Sequence, residues 1–231
     1  MKKLSVLSQK LPATWQHEVR RLRHRVLIRQ GNFISREKEY RRLGEIVLPG
    51  EVVIDIGANV GHYTLLFSRL VGNRGRVIAF EPILSTFDLL VSNVRAGQCK
   101  NVSLINAAVT DDAEEIGFTT PRGNFYQSHC SEEGEYRVVS YPLSRFALKE
   151  RASAFIKIDA EGCDWSILTN SLALITQMRP IVMAEISSEK LQAIALEIDD
   201  YHVATLNSSH NALLFPAEKR QRFSDEFKMW A

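Results

Sequence analysis

The chain lacks any apolar stretch near the roughly 18 to 20 residues that a membrane span requires, and the apolar run after its opening Met1-Lys2-Lys3 is too short for a secretory leader. Both absences point to the cytoplasm. Cysteine is scarce: Cys99, Cys130 and Cys163 are odd in number and far apart. That excludes a Cys-x-x-Cys metal site and a self-contained disulfide framework, and leaves buried or inert thiols. No internal repeat or low-complexity tract occurs. With 45% hydrophobic and 24% charged residues and a mean hydropathy of −0.13, the composition excludes disordered, collagen-like and coiled-coil chains. The 231 residues suffice for one α/β domain and an appendage.

Net charge is only +2, but it is unevenly spread: residues 1–50 carry 12 Lys/Arg against 4 Asp/Glu, and the remainder carries 17 against 23. An N-terminal excess of this kind suits either a solvated helix face or an anionic partner such as a phosphorylated substrate, a nucleic acid or a membrane surface. Thr14 can cap a helix running to about Gln30. Trp15, Val19, Leu22 and Val26 recur there at helical spacing, with Arg20, Arg21, Arg23 and Arg25 around them. Ser35 opens a second helix with Tyr40, Leu43, Ile46 and Val47 on its apolar face, ended by Pro49-Gly50. The expected division is a basic helical extension over residues 1–46 and a catalytic-type α/β domain over 47–231. The narrow apolar stripe of the first helix is expected to dock on that domain, with peripheral contact to an anionic membrane as the alternative.

After Gly50 the pattern becomes short β-branched runs alternating with helical segments of about 10 to 15 residues, the rhythm of βαβ units. Strands are expected at 51–56, 76–81, 102–109, 154–159, 181–186, 201–206 and 212–215. Helices are expected at 62–70, 85–95, 165–176 and 188–197. The segment 110–152, with Gly117, Pro121, Gly123, Gly134 and Pro142, reads as turns and a β-hairpin ending in a short helix.

Two constellations carry chemistry. In Ile54-Asp55-Ile56-Gly57-Ala58-Asn59-Val60-Gly61 a buried strand runs into a glycine turn and then a helix, whose free N–H groups and small residues admit a nucleotide-like ligand. Glu81, twenty residues on, ends the second strand, where a carboxylate can accept both hydroxyls of a ribose. The spacing is not Gly-x-Gly-x-x-Gly. Asp55 before the first glycine suits a cationic ligand such as S-adenosylmethionine better than a pyrophosphate. A nicotinamide-dependent oxidoreductase and a non-catalytic binding module are the alternatives. The second constellation is Lys157-Ile158-Asp159-Ala160-Glu161-Gly162. Alternation places Lys157 and Asp159 on one face of a buried strand, so both need partners, and Glu185 at the end of the next strand is the expected one.

Together with Phe80-Glu81-Pro82 and Asn106-Ala107-Ala108, these motifs closely resemble the FkbM-type S-adenosylmethionine-dependent methyltransferases over residues 43–217. The resemblance implies a class I methyltransferase fold, a Rossmann-like, mostly parallel sheet of seven strands with helices on both faces. It also implies O-methylation of a sugar, glycolipid or small-molecule natural-product hydroxyl, with no nucleic acid as partner. By position, Asp55, Gly57, Asn59 and Gly61 would hold the methionine portion, Glu81 the ribose, and Asn106 and Ala107 would flank the adenine.

Methyl transfer to a hydroxyl also needs a base. Asp159 is the first candidate and Glu161 the second, with Lys157 in the same catalytic group; His62 and His129 are weaker candidates. Asp159 and Glu185 could instead hold Mg²⁺ to lower the acceptor's pKa. Phe125, Tyr126, Tyr136 and Tyr141 in the insertion are candidates for stacking on sugar faces, or for a small satellite core.

Overall fold

The computed structural model describes residues 12–111, 115–119, 129–130, 134–146, 153–160, 162–207 and 209–230. The chain begins with helix α1 (Ala13–Arg29), a 3-10 turn at Glu39–Arg41 and the single turn α2 (Leu43–Ile46). Then come β1 (Val52–Ile56), α3 (His62–Val71), β2 (Arg76–Phe80), α4 (Leu84–Ala96) and β3 (Val102–Ile105). The insertion contributes β4 (Ala108–Thr110), β5 (Glu115–Thr119), β6 (His129–Cys130) and β7 (Tyr136–Pro142). The second half runs β8 (Ser153–Ile158), α5 (Asp164–Asn170), α6 (Leu172–Met178), β9 (Ile181–Ala184), α7 (Ser188–Glu197), β10 (Tyr201–Leu206), β11 (Ala212–Pro216) and β12 (Phe227–Trp230).

The main sheet has the order β12-β10-β11-β9-β8-β1-β2-β3. Its five central and far-side strands are parallel, and β11 inserts antiparallel between β9 and β10. These are the seven expected strands plus an eighth, β12, which pairs antiparallel with the outer edge of β10. Phe227 packs into the core there and the Trp230 indole N–H donates to Thr205 Oγ1 at 2.9 Å. Four residues of alternation are too short to predict a strand; the open edge of β10 supplies the template. A second sheet, β4-β7-β5-β6, is built from the insertion.

The strands are apolar on both sides because both sides are covered. Ile54, Ile56, Ile156 and Ile158 face Leu168 of α5, Ile175 of α6 and Leu191 of α7. Val53, Phe155 and Met183 face Phe67 of α3 with Leu43 and Ile46 of α2. The expected helix 165–176 is broken into α5 and α6 at Ser171. The expected strand 102–109 is likewise broken, at Asn106-Ala107, where the chain leaves the first sheet for the second.

The N-terminal segment departs from expectation three times. The helix begins at Ala13 with Pro12 as N-cap and no side-chain cap, so Thr14 lies inside the first turn. It packs along α4, but not through the stripe that its spacing singled out: Trp15, Leu22 and Val26 are 65%, 61% and 52% exposed. His17 and Arg21 instead bond Asp88, at 2.7 and 2.5 Å, and His24 bonds Asn93 at 3.0 Å. Leu27 and Ile28 add the apolar contact around Phe33. The surface of α4 presents Asp88 and the Asn93 amide nitrogen, and the polar side of α1 gives both a partner where an apolar stripe would give none. The second expected helix, 35–47, shrinks to two short turns because buried Glu39 pins the chain, accepting from Ser209, Asn211 and Tyr63. Among the described residues no helix is long and apolar enough to cross a membrane.

The junction of β1 and β8 tolerates no side chain at Gly57. Its φ is +71°, and a Cβ would lie 1.7 Å from the carbonyl oxygen of Asp159. Gly50 is also left-handed (φ +89°) but has nothing within 4 Å. In urea denaturation, Gly50→Ala is expected to cost only the left-handed strain of about 1–2 kcal/mol, and Gly57→Ala clearly more because backbone must also move. Equal losses would refute this account of the junction.

Candidate active site

The parallel register sets Asp55 of β1 directly beside Lys157 of β8. Both are buried, at 0% and 2% exposure. Lys157 Nζ donates to Asp159 Oδ2 at 2.9 Å, lies 3.7 Å from Asp55 Oδ1 and 3.5 Å from the Gly57 carbonyl oxygen, and sits 4.9 Å from the centre of the Tyr63 ring. Asp55 Oδ2 accepts the Thr64 hydroxyl at 2.6 Å. Burial works against the Lys157 charge, but the carboxylates of Asp159 and Asp55 hold its pKa above the ordinary lysine value. Burial pushes the Asp55 carboxyl up, opposed by Lys157 and Thr64.

Glu185 is not the partner of Lys157, contrary to expectation. The residue of β9 paired with Lys157 is Met183, so the sheet places Asp55, not Glu185, at hydrogen-bonding height. Glu185 is exposed just beyond the strand end, and its carboxyl is raised by burial and by the nearby Asp159 and Asp164. Among the described residues no group of three His, Cys, Asp or Glu is placed to hold a metal. Lys157 occupies Oδ2 of Asp159, and no third ligand joins Asp159 and Glu185 among the described residues.

A cleft of about 630 Å³ opens at the carboxyl ends of β1, β2 and β8. Gly57, Asn59, Glu81, Ala107 and Asp159 line it. Asp55 does not: it lies beneath the turn and reaches the site only through Lys157. Gly61 caps α3 at φ +93°, where a Cβ would meet Leu90 at 2.6 Å, so its smallness serves packing within the protein. Asn106 is exposed and its amide donates to the carbonyls of Glu81 and Pro82, at 2.9 and 3.0 Å, fixing the turn after β2. Glu161 lies outside the described residues.

The apolar wall of the cleft includes Phe80, Ile83, Val109, Ile116 and Phe118. Ile116 and Phe118 come from the insertion, where the sequence had singled out other residues, Phe125, Tyr126, Tyr136 and Tyr141, for sugar stacking or a small satellite core. Their alternation in Glu115-Ile116-Gly117-Phe118-Thr119 was the available signal. Of the aromatics expected to meet a sugar, Tyr141 packs on Phe146 with the Arg145 guanidinium over its ring, and Tyr136 is partly exposed. Phe125 and Tyr126 lie outside the described residues, as does the side chain of His129. His62 stacks on Phe33, and burial lowers its pKa to about 4, which leaves a neutral, packed ring.

Glu81 is the cleft's distinctive group. It is 6% exposed; Oε2 accepts the Asn59 N–H at 2.8 Å and Oε1 the Ile83 N–H at 3.0 Å. Burial nonetheless pushes its carboxyl up to about 7, against these donors and Lys157. Each oxygen retains acceptor capacity, so a ligand with two adjacent hydroxyls would supply what the ionised group lacks. The cleft thus combines an apolar slot, a diol-seeking carboxylate and a carboxylate at its far end, and the residues fit an adenosyl cofactor.

A mostly parallel sheet of this order, covered by helices on both faces, with a cofactor cleft at the carboxyl ends of its central strands, defines a class I methyltransferase. Residues 55–214 match the Methyltransferase FkbM domain, and the chain belongs to the FkbM methyltransferase family, whose members depend on S-adenosylmethionine. The matched family is one of methyltransferases, not of nicotinamide-dependent oxidoreductases. Solved structures with the same fold include an FkbM methyltransferase from Methylobacillus flagellatus, at 16% identity and a TM-score of 0.53. The match covers 71% of this chain but only 43% of that one. A methyltransferase from Geobacter sulfurreducens (14% identity, TM-score 0.52) and cofactor-bound Rv0187 from MTB (11%, 0.52) each match over 92% of this chain and 95% of their own. No protein of curated function matches the sequence significantly.

The site generates two expectations. Lys157→Met strands the Asp55 carboxylate in the sheet, a loss of about 3–5 kcal/mol measurable by denaturation; an unchanged midpoint would show that the pair is not structural. Glu81 titrates near 7 when folded, against 4.5 for the free side chain, so the folded state keeps a proton that the unfolded state has lost. Its contribution to stability therefore falls as pH rises from 4.5 to 7, by about 3 kcal/mol in all. His24 and His62, both lowered to about 4 mainly by burial, slope the opposite way below 6.5. They are common to wild type and Glu81→Gln, so the difference between the two pH–stability curves isolates Glu81, and a flat difference would refute the assignment.

Proposed function

We propose that this chain is an O-methyltransferase acting on a hydroxyl of a carbohydrate or glycolipid, with S-adenosylmethionine as methyl donor. The supporting observation is a depression next to the Asp159 end of the cleft, where the indole of Trp165, 40% exposed, stands with Asp164, Glu185, Ser187 and Lys190. An aromatic face covers the C–H surface of a sugar while carboxylates and hydroxyls bond its hydroxyl groups. The Lys190 ammonium lies 5.4 Å from the Trp165 ring centre, and a sugar would displace this surface side chain or stack beside it.

The cofactor supplies an electrophilic methyl on a sulfonium, and transfer requires the acceptor oxygen in line with it. Glu81 would take the ribose hydroxyls, with the apolar wall of Phe80, Ile83 and Phe118 about the adenine. Lys157 holds Asp159 through Oδ2, orienting the carboxylate at the cleft mouth. Asp159 would accept the hydroxyl proton as the C–O bond forms and the methyl–sulfur bond breaks, leaving the cofactor as a neutral thioether. Glu161, two residues further along the sequence, remains the second candidate for this role.

Asp159→Asn is expected to lower turnover by roughly 100-fold or more while S-adenosylmethionine affinity, measured by calorimetry, stays within a few fold. Retained turnover would remove Asp159 as the base. The acceptor class is tested by mass spectrometry of glycans and lipids from cells with and without the protein, seeking a lost methyl. On the acceptor so identified, Trp165→Ala is expected to raise KM by about two- to tenfold, the range of an aromatic stacking contact, with kcat little changed. A methylated product without sugar would overturn the carbohydrate reading and favour a natural-product acceptor.

A further inference from the structure

The face of α1 turned away from the domain has no part in the proposed methyl transfer, yet it carries three exposed large apolar side chains. Trp15, Leu22 and Val26, at intervals of seven and four, lie on one side of the helix and are more than half exposed. Arg29 shares that side; Arg25 flanks it on one edge and Arg23 on the other, all exposed. Next to the stripe, a groove between α1 and α4 is lined by Leu22, Arg25, Val91 and Arg95. Its acidic groups are already taken, since Glu18 and Asp88 both pair with Arg21. Arg25 and Arg95 have no acidic partner among the described residues.

We infer that this face is a docking surface for an anionic lipid bilayer. Trp15, Leu22 and Val26 enter the headgroup region, while Arg25 and Arg95 hold lipid phosphates at the mouth of the groove and Arg29 and Arg23 add to the attraction. Indole and aliphatic side chains flanked by guanidinium groups are the arrangement of an interfacial helix. The helix is held to the domain through His17, Arg21 and His24 on its opposite side, so docking on a membrane requires no rearrangement of the fold. A polyanion such as nucleic acid would engage the arginines but leave the central stripe in water, which is why a bilayer is the better match. The basic excess of residues 1–50 has the matching sign.

The test is co-sedimentation of the full chain with vesicles of phosphatidylcholine, with and without phosphatidylserine. Binding is expected only to the phosphatidylserine vesicles and to weaken with salt. Each basic residue contributes about fivefold in partition, so Arg25→Gln with Arg95→Gln is expected to lose roughly 25-fold. Leu22→Ser with Val26→Ser should lose binding as well. Both double variants should keep wild-type S-adenosylmethionine affinity, showing that the fold is intact. Trp15 emission, isolated by comparison with Trp15→Phe, should shift to the blue on vesicles. Absence of binding to phosphatidylserine vesicles overturns the proposal. It is also overturned if heparin binds more tightly than vesicles and the serine variant leaves both unaffected, since the face would then be a polyanion site.

Discussion

A lysine ammonium buried between two strands organises this site. Lys157 is in the middle of a sheet covered on both faces, where an unpaired charge would be untenable, so the neighbouring strand must bring an acid to its height. Asp55 does this by register, and Asp159, two residues on and just past the end of the same strand, completes the set. The arrangement ties the end of β1 to the end of β8, and those are the walls of the cleft. Well-packed apolar residues could give as much stability as a buried ion pair. What the charges provide here is a fixed orientation for the one carboxylate of the three-residue set that reaches solvent.

The cleft depends on close approach of backbone to backbone at the same junction. Gly57 donates no side chain because the Asp159 carbonyl occupies that space, and its own carbonyl lies near Lys157. The glycines of the turn serve the protein's interior first, and ligand access follows from how tightly the two strand ends meet. On the other side, two backbone N–H groups hold Glu81 while burial raises its pKa. Its oxygens keep lone pairs for a ligand's hydroxyl groups, and it stands where the apolar slot begins.

The extension preceding β1 contributes in two ways. Its second part is structural: Glu39, Tyr40, Leu43 and Ile46 are buried against the domain, and Tyr40 donates to the His62 carbonyl at the start of α3. Its first helix is attached by polar contacts to α4 and exposes its apolar side. The division between core and appendage is thus less sharp than composition suggests.

Much was legible in the chain itself, for physical reasons. Strands buried on both faces read as β-branched runs, and helices between them keep a 3.6-residue period, so the central βαβ order and the placement of Gly57, Asn59, Glu81, Ala107 and Asp159 at strand ends could be read locally. Register and packing partner could not. Whether Lys157 meets Asp55 or Glu185 depends on which residues two distant strands set side by side. Whether Trp15, Leu22 and Val26 face the domain depends on what α4 presents opposite them. Ile116 and Phe118 lie far along the chain from β1, and only the folding back of the second sheet makes them a wall of the cleft. Local periodicity determined the elements and their chemistry-bearing ends; long-range contacts, which no local pattern encodes, decided which of those ends meet.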